Sequence, residues 1–136
     1  MKVLIINGPN LNLLGKREPE IYGNISFEGY LEELKTNFEQ HQLSYYQSNH
    51  EGDLVDALQN ADKNFDYILL NAAAYTHTSV AIADTVSAIK TPVIEVHISN
   101  IYSREEFRRK SFISPYAKAV IAGFGLKSYD LALLSL

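Results

Sequence analysis

The chain contains no cysteine and no tryptophan, and only four prolines in 136 residues. Without thiols there are no disulfides, no thiolate metal site and no cysteine nucleophile. No apolar run approaches the ~20 residues that span a bilayer, which argues against a membrane protein. No single-sign charge block is present, and the formal net charge is −4. A basic stripe for nucleic acid or a basic membrane-surface helix is therefore not expected. The first residues, MKVLIINGPN, run directly into a strand pattern without a leader cleavage signature. These absences favour a cytoplasmic protein. Repeats, low-complexity tracts and linkers are also missing, so the length is read as one catalytic-sized domain, residues 1–136.

What is present is a 46% hydrophobic chain with a regular alternation of elements. A chain of this length buries roughly two-thirds of its unfolded surface, enough for a real core. Val3 to Ile6 is a continuous apolar run, read as a central strand that stops at Asn7-Gly8-Pro9-Asn10. A polar stretch from Leu11 to Ile25 follows, long enough to be a functional lid. Ser26 is placed to cap a helix with Phe27, Tyr30, Leu31, Leu34 and Phe38 on one face. Leu43 to Ser48 reads as a more polar strand near an edge, and Leu54, Val55 and Leu58 mark a short second helix. Phe65 to Leu70 is the third strand, closed by Asn71. The helix from about Ser79 to Ile89 is expected to turn Val80, Ala83, Val86 and Ile89 inward. Pro92 opens the fourth strand, Ala117 to Ala122 forms the fifth, and a helix from about Ser128 ends the chain.

Five β-α repeats imply an α/β fold with a parallel sheet, right-handed crossovers and helices on both faces. A flavodoxin-like strand order, 2-1-3-4-5, is expected. Ligands in such sheets bind at the carboxyl ends of the strands. Three polar clusters fall there: Asn7 to Asn10, Asn71 to His77, and His97 to Asn100. The segment PVIEVHISNIYSREEFRR, Pro92 to Arg109, concentrates most of the chemistry. Strand alternation puts Glu95, His97 and Ser99 on one side, where the acid can orient the imidazole. Arg104, Arg108 and Arg109 follow on what reads as a short helix opened by Ser103.

The first turn is neither G-x-G-x-x-G nor a Walker A loop, so a phosphate or dinucleotide site is unlikely there. A phosphoacceptor receiver would need an aspartate where the third strand ends in Asn71. His77 and His97 lack metal-ligand spacing. No strand ends in a lysine, and no nucleophile elbow occurs. What remains is acid–base work on a small polar substrate with His97 as proton carrier, in a lyase, isomerase or hydrolase. Arg17 and Arg108 favour an anionic or oxygen-rich ligand.

The order of blocks narrows this. Asn7-Gly8-Pro9-Asn10-Leu11-Asn12-Leu13-Leu14-Gly15, Arg17-Glu18-Pro19 and Tyr22-Gly23 closely resemble type II 3-dehydroquinate dehydratases. So do Asn71-Ala72, Thr76-His77-Thr78-Ser79, Glu95-Val96-His97-Ile98-Ser99-Asn100, Arg104-Glu105-Glu106-Phe107-Arg108 and Ser114-Pro115. The resemblance runs the length of the chain. One departure is Ala73, where the family usually has glycine and where a methyl is expected to crowd the loop slightly.

The resemblance implies dehydration of 3-dehydroquinate to 3-dehydroshikimate in the shikimate pathway, by an anti elimination through an enolate. It implies no metal and no cofactor. It makes Tyr22 the base, Asn10 a holder of the water that stabilises the enolate oxygen, and His97 the acid for the departing C1 hydroxyl, with Glu95 holding the imidazole. Asn71, Ser99 and the Ile98 backbone N–H would grip the substrate carboxylate, while His77 and Arg108 bind ring hydroxyls. A phenol with pKa ~10 needs a shift of ~2 units, about 2.7 kcal/mol, to be half-ionised near pH ~8. Arg17, five residues earlier, is the natural source of that stabilisation. The resemblance also gives Asp84 a role in a neighbouring subunit's site and implies a homo-oligomer, a dodecamer built as a tetramer of trimers.

Overall fold

A computed structural model describes residues 1–16 and 24–136 of the chain. Five strands form one sheet: β1 (Lys2–Asn7), β2 (Gln42–Gln47), β3 (Tyr67–Asn71), β4 (Val93–His97) and β5 (Ala119–Ala122). All pairings are parallel, and the order is β2-β1-β3-β4-β5. Among the described residues the α-helices are α1 (Phe27–Asn37), α2 (Glu51–Ala61), α3 (Val80–Ala88) and α4 (Lys127–Leu134). The expected flavodoxin-like architecture is therefore the observed one.

Alternation along the strands sorts the core into two layers. Val3 and Ile5 of β1 join Leu69, Ile94 and Val96 beneath α1 and α4. Leu4 and Ile6 join Ile68, Leu70 and Val93 beneath α2 and α3. Each central strand is apolar on both faces because each face is covered by helices. The polar β2 lies at an edge, as its composition suggested. In α1 the Ser26 hydroxyl accepts from the Gly29 N–H, and Phe27, Tyr30, Leu31 and Leu34 are buried with Phe38 just beyond.

Some expectations need correction. Val80 does not face inward: it is 61% exposed, and Ile82 and Thr85 are buried beside Ala83 and Val86. Ser79 caps α3 by accepting from the Ile82 N–H, so Val80 sits in the first turn on the outer face. Residues 101–109 do not form one helix opened by Ser103. They form two 3-10 turns, Ile101–Ser103 and Glu106–Arg109, and it is the Asn100 side chain that caps the first. The stretch read as polar from Leu11 begins with core residues: Leu11 and Leu14 are buried, and Leu11–Leu13 is a 3-10 turn.

Beyond the ladder, the tips of β1 and β3 are tied together. Asn7 and Asn71 are register partners, and the Gly8 N–H donates to the Asn71 carbonyl at 2.8 Å. A Cβ on Gly8 would lie 2.6 Å from the Ala72 carbonyl oxygen, so only glycine permits this approach.

Candidate active site

The three polar clusters converge at the carboxyl rim of the sheet. A pocket there is lined by Asn10 and Leu11 after β1, by Asn71 and His77 at and after β3, and by His97, Ile98, Ser99, Arg104 and Arg108 at and after β4. Among the described residues its wall carries two guanidiniums and no carboxylate. Such a lining favours an anion or an oxygen-rich ligand.

His97 and Glu95 form its chemical centre. Both project to the α2/α3 face of β4, opposite Ile94 and Val96, as alternation requires. Glu95 is 1% exposed and His97 4%. His97 Nε2 lies 2.5 Å from Glu95 Oε2. The other carboxylate oxygen, Oε1, accepts from Ser111 Oγ at 3.0 Å and Ser114 Oγ at 2.7 Å. Burial alone would raise the Glu95 pKa, but hydrogen bonds from His97, Ser114 and Ser111 outweigh it, and the carboxyl stays below its ordinary range. An ionised carboxylate only accepts, so His97 Nε2 carries the proton between them. In neutral His97 the bare nitrogen is then Nδ1.

His77 is stacked on His97, with ring centroids 6.3 Å apart and planes 21° from parallel. Its Nδ1–H donates to the Lys110 carbonyl at 2.8 Å, which leaves Nε2 as the acceptor in the neutral ring. Burial, chiefly, pushes the His77 imidazole below its ordinary value; the Lys110 carbonyl opposes this, while His97 and Arg108 add to it. Arg108 is anchored by Glu105, with Nε 2.5 Å from Oε2.

Asn71, 3% exposed, is oriented on both ends. Its Oδ1 accepts from the Ala73 N–H, and its Nδ2 donates to the buried Tyr129 hydroxyl at 3.0 Å. One N–H of the amide remains for a ligand. Tyr129 in turn donates to Asn7 Oδ1, so the amide is held from beneath by a buried chain of polar groups. Desolvation pushes the Tyr129 phenol well above its ordinary value, which makes it a neutral hydrogen-bonding post. At the opposite wall Asn10 has φ 70°, a left-handed conformation that asparagine tolerates, and its N–H donates to Asn49 Oδ1.

Of the residues singled out from the sequence, Asn10, Asn71, His77, His97, Ile98, Ser99 and Arg108 line this pocket, and Glu95 lies directly behind His97. Asp84 does not: it is exposed on α3, outside the lining. Arg17 and Tyr22 lie outside the described residues. Arg104 lines the pocket although it had been given no place in the site; its spacing of four from Arg108 was the available signal. Ser111 and Ser114 were also passed over. Ser114 belongs to the Ser-Pro block noted in the sequence, but nothing in the order of residues ties it to Glu95.

A doubly wound parallel sheet with a buried carboxylate–imidazole pair at its rim defines a flavodoxin-like α/β protein with acid–base groups at the edge where such sheets bind ligands. Comparison with known proteins is more specific. The chain belongs to the class II dehydroquinase family, whose model matches residues 1–136. It is 55% identical to a 3-dehydroquinate dehydratase of Exiguobacterium sp., over 100% of this chain and 94% of that protein. It is 54% identical to one of Prochlorococcus marinus, with 98% and 93% covered. The crystal structure of a type II dehydroquinase from Butyrivibrio crossotus superimposes with a TM-score of 0.93 at 45% identity, covering 99% of this chain and 96% of that one.

Proposed function

We propose that this chain is a type II 3-dehydroquinate dehydratase, a hydro-lyase of the shikimate pathway that converts 3-dehydroquinate to 3-dehydroshikimate and water. The observation that carries the reading is the buried Glu95–His97 pair opening onto a rim pocket lined by Asn10, Asn71, His77, Ser99 and Arg108, in a chain of this family. In the proposed elimination Tyr22, made more acidic by Arg17, removes the proton beside the ketone. Negative charge collects on the enolate oxygen, stabilised by a water that Asn10 helps to hold. The C1–O bond then breaks as the hydroxyl takes the Nδ1 proton of doubly protonated His97, whose Nε2–H stays on Glu95, and leaves as water.

Asn71, Ser99 and the Ile98 N–H bind the carboxylate, and His77 and Arg108 bind ring hydroxyls. Two guanidiniums, on a wall that carries no carboxylate among the described residues, suit a substrate that is an anionic polyol. The elimination is written without metal or cofactor. The assembly proposed is a dodecamer of four trimers in the cytoplasm, in which Asp84 reaches the site of a neighbouring subunit. An exposed Asp84 on α3 agrees with that role. No helix among the described residues is long and apolar enough to cross a membrane.

The test is ultraviolet absorbance of the conjugated enone product after mixing the protein with 3-dehydroquinate in EDTA. A steady rise is expected. A folded protein that gives no rise would overturn the assignment and direct the search to related cyclic polyol acids, the alternative class of cofactor-free lyase or isomerase substrates. Light scattering after size exclusion reads the assembly, and a monomer would remove Asp84 from the site.

A further inference from the structure

Glu95 is held from a side away from the pocket lining. Ser111 Oγ accepts from the Ile113 N–H at 3.1 Å and from the Ser114 N–H at 3.0 Å. With both acceptor positions occupied, its single O–H is committed to Glu95 Oε1. Ser114 Oγ donates to the same oxygen, at 2.7 Å. The hydroxyls thus saturate Oε1, fix the rotation of the carboxylate, and leave Oε2 aimed at His97 Nε2. Neither serine lines the pocket.

We propose that Ser111 and Ser114 are positioning residues: a two-hydroxyl clamp that sets the orientation and the tautomer of the Glu95–His97 pair. The inference rests on the function proposed above for its kinetic readout, but not for its structural one. A buried carboxylate that loses one of these two donors is freer to rotate or to pick up a proton, and either change loosens the hold of Glu95 Oε2 on His97 Nε2 that leaves Nδ1 to exchange a proton. The same segment also orders the opposite wall, because the Lys110 carbonyl accepts from His77 and the Phe112 N–H donates to the Thr76 carbonyl. The clamp therefore couples the proton donor to the ligand-binding imidazole. Among the described residues the other titratable or charged groups facing the pair are His77, Arg104 and Arg108 on the pocket wall, with Glu105 bound to Arg108.

Ser114→Ala is the cleaner test, since Ser111 also anchors two backbone N–H groups. The expected result is a kcat lower on the order of tenfold, part of the 10²–10⁴ that general acid–base catalysis supplies, with KM nearly unchanged. The acid limb of the kcat profile should move to higher pH, because Glu95 loses a donor to its ionised form. Ser114→Thr, which keeps the hydroxyl, should restore both. Without substrate, ¹⁵N spectra of labelled histidine should show His97 protonated at Nε2 in the parent and a mixture of tautomers in Ser114→Ala. An unchanged pH profile together with unchanged ¹⁵N signals overturns the clamp. If Ser114→Ala does not fold, Ser114→Cys carries the same comparison with a weaker donor. A parent that folds and shows the Nε2 tautomer but does not dehydrate 3-dehydroquinate would reject the proposed activity. The ¹⁵N comparison would still decide the clamp.

Discussion

Tyr129 in the last helix donates its hydroxyl proton to Asn7 at the end of the first strand, 2.7 Å away across 122 positions of sequence. The same oxygen accepts from Asn71, so one phenol joins the tips of β1 and β3 from below. Tyr129, Asn7 and Asn71 are all buried.

Tyr129→Phe should therefore cost more than one hydrogen bond. It strands an acceptor on Asn7 and a donor on Asn71, each at about 1–3 kcal/mol when buried and unpaired. The freed Asn71 amide would also lose its fixed direction. A loss of about 2 kcal/mol or more in denaturant unfolding is expected, with KM for 3-dehydroquinate rising more than kcat falls. Unfolding curves and steady-state kinetics read the two effects separately.

Ala73 adopts φ 53°, in the left-handed region. The methyl expected to crowd the loop acts through the backbone instead, since a side chain at positive φ costs about 1–2 kcal/mol. Ala73→Gly relieves that strain but loosens the unfolded chain by about 0.4–1 kcal/mol. A net gain of roughly 0.5 kcal/mol is expected in the denaturant midpoint. A clear loss would mean that packing of the Ala73 methyl against the core outweighs the strain.

Acid should destabilise the fold in two windows. His77 has a folded pKa below its ordinary value of 6.5, so its contribution is complete above that pH and is lost as pH falls through the lowered value. Glu95, depressed from 4.5, contributes fully above that value and loses its contribution as pH falls through the lower folded pKa. Unfolding free energy measured from pH ~8 to ~3 should fall in these two steps. His77→Asn should shrink the upper step, leaving the part due to His41, whose pKa burial also lowers, and keep the lower one.

Tyr22→Phe should reduce turnover by a factor on the order of 10²–10⁴, the usual worth of a general base, while calorimetry still shows binding of a carboxylate-bearing substrate analogue. Near-parental turnover would exclude Tyr22 as the base.

Much of this was legible in the sequence because strands buried on both faces must read as apolar runs, and Val3–Ile6 and Ile68–Leu70 do, as does Val93–Val96 apart from Glu95. The Glu95–His97 pair was legible for the same reason, since a spacing of two on a strand puts both side chains on one face. Val80 was misread because period alone does not say where a helix starts relative to its cap. Ser111, Ser114 and Tyr129 were invisible for a different reason. They reach the site from a loop, from the start of a 3-10 turn and from the far end of the chain, and their partners are set by tertiary packing, for which neighbouring residues carry no signal.

The Gly8–Asn71 bond extends the union of β1 and β3 one residue past the sheet, at a contact that admits no side chain. The end of the pocket at Asn71 is thus braced by backbone contacts of the fold itself. Discrimination between candidate ligands then falls to the walls, and compounds that press on that end should be rejected by shape however favourable their charge. Inhibitor series built on this pocket should accordingly tolerate variation toward the Arg104–Arg108 side and none toward Asn71.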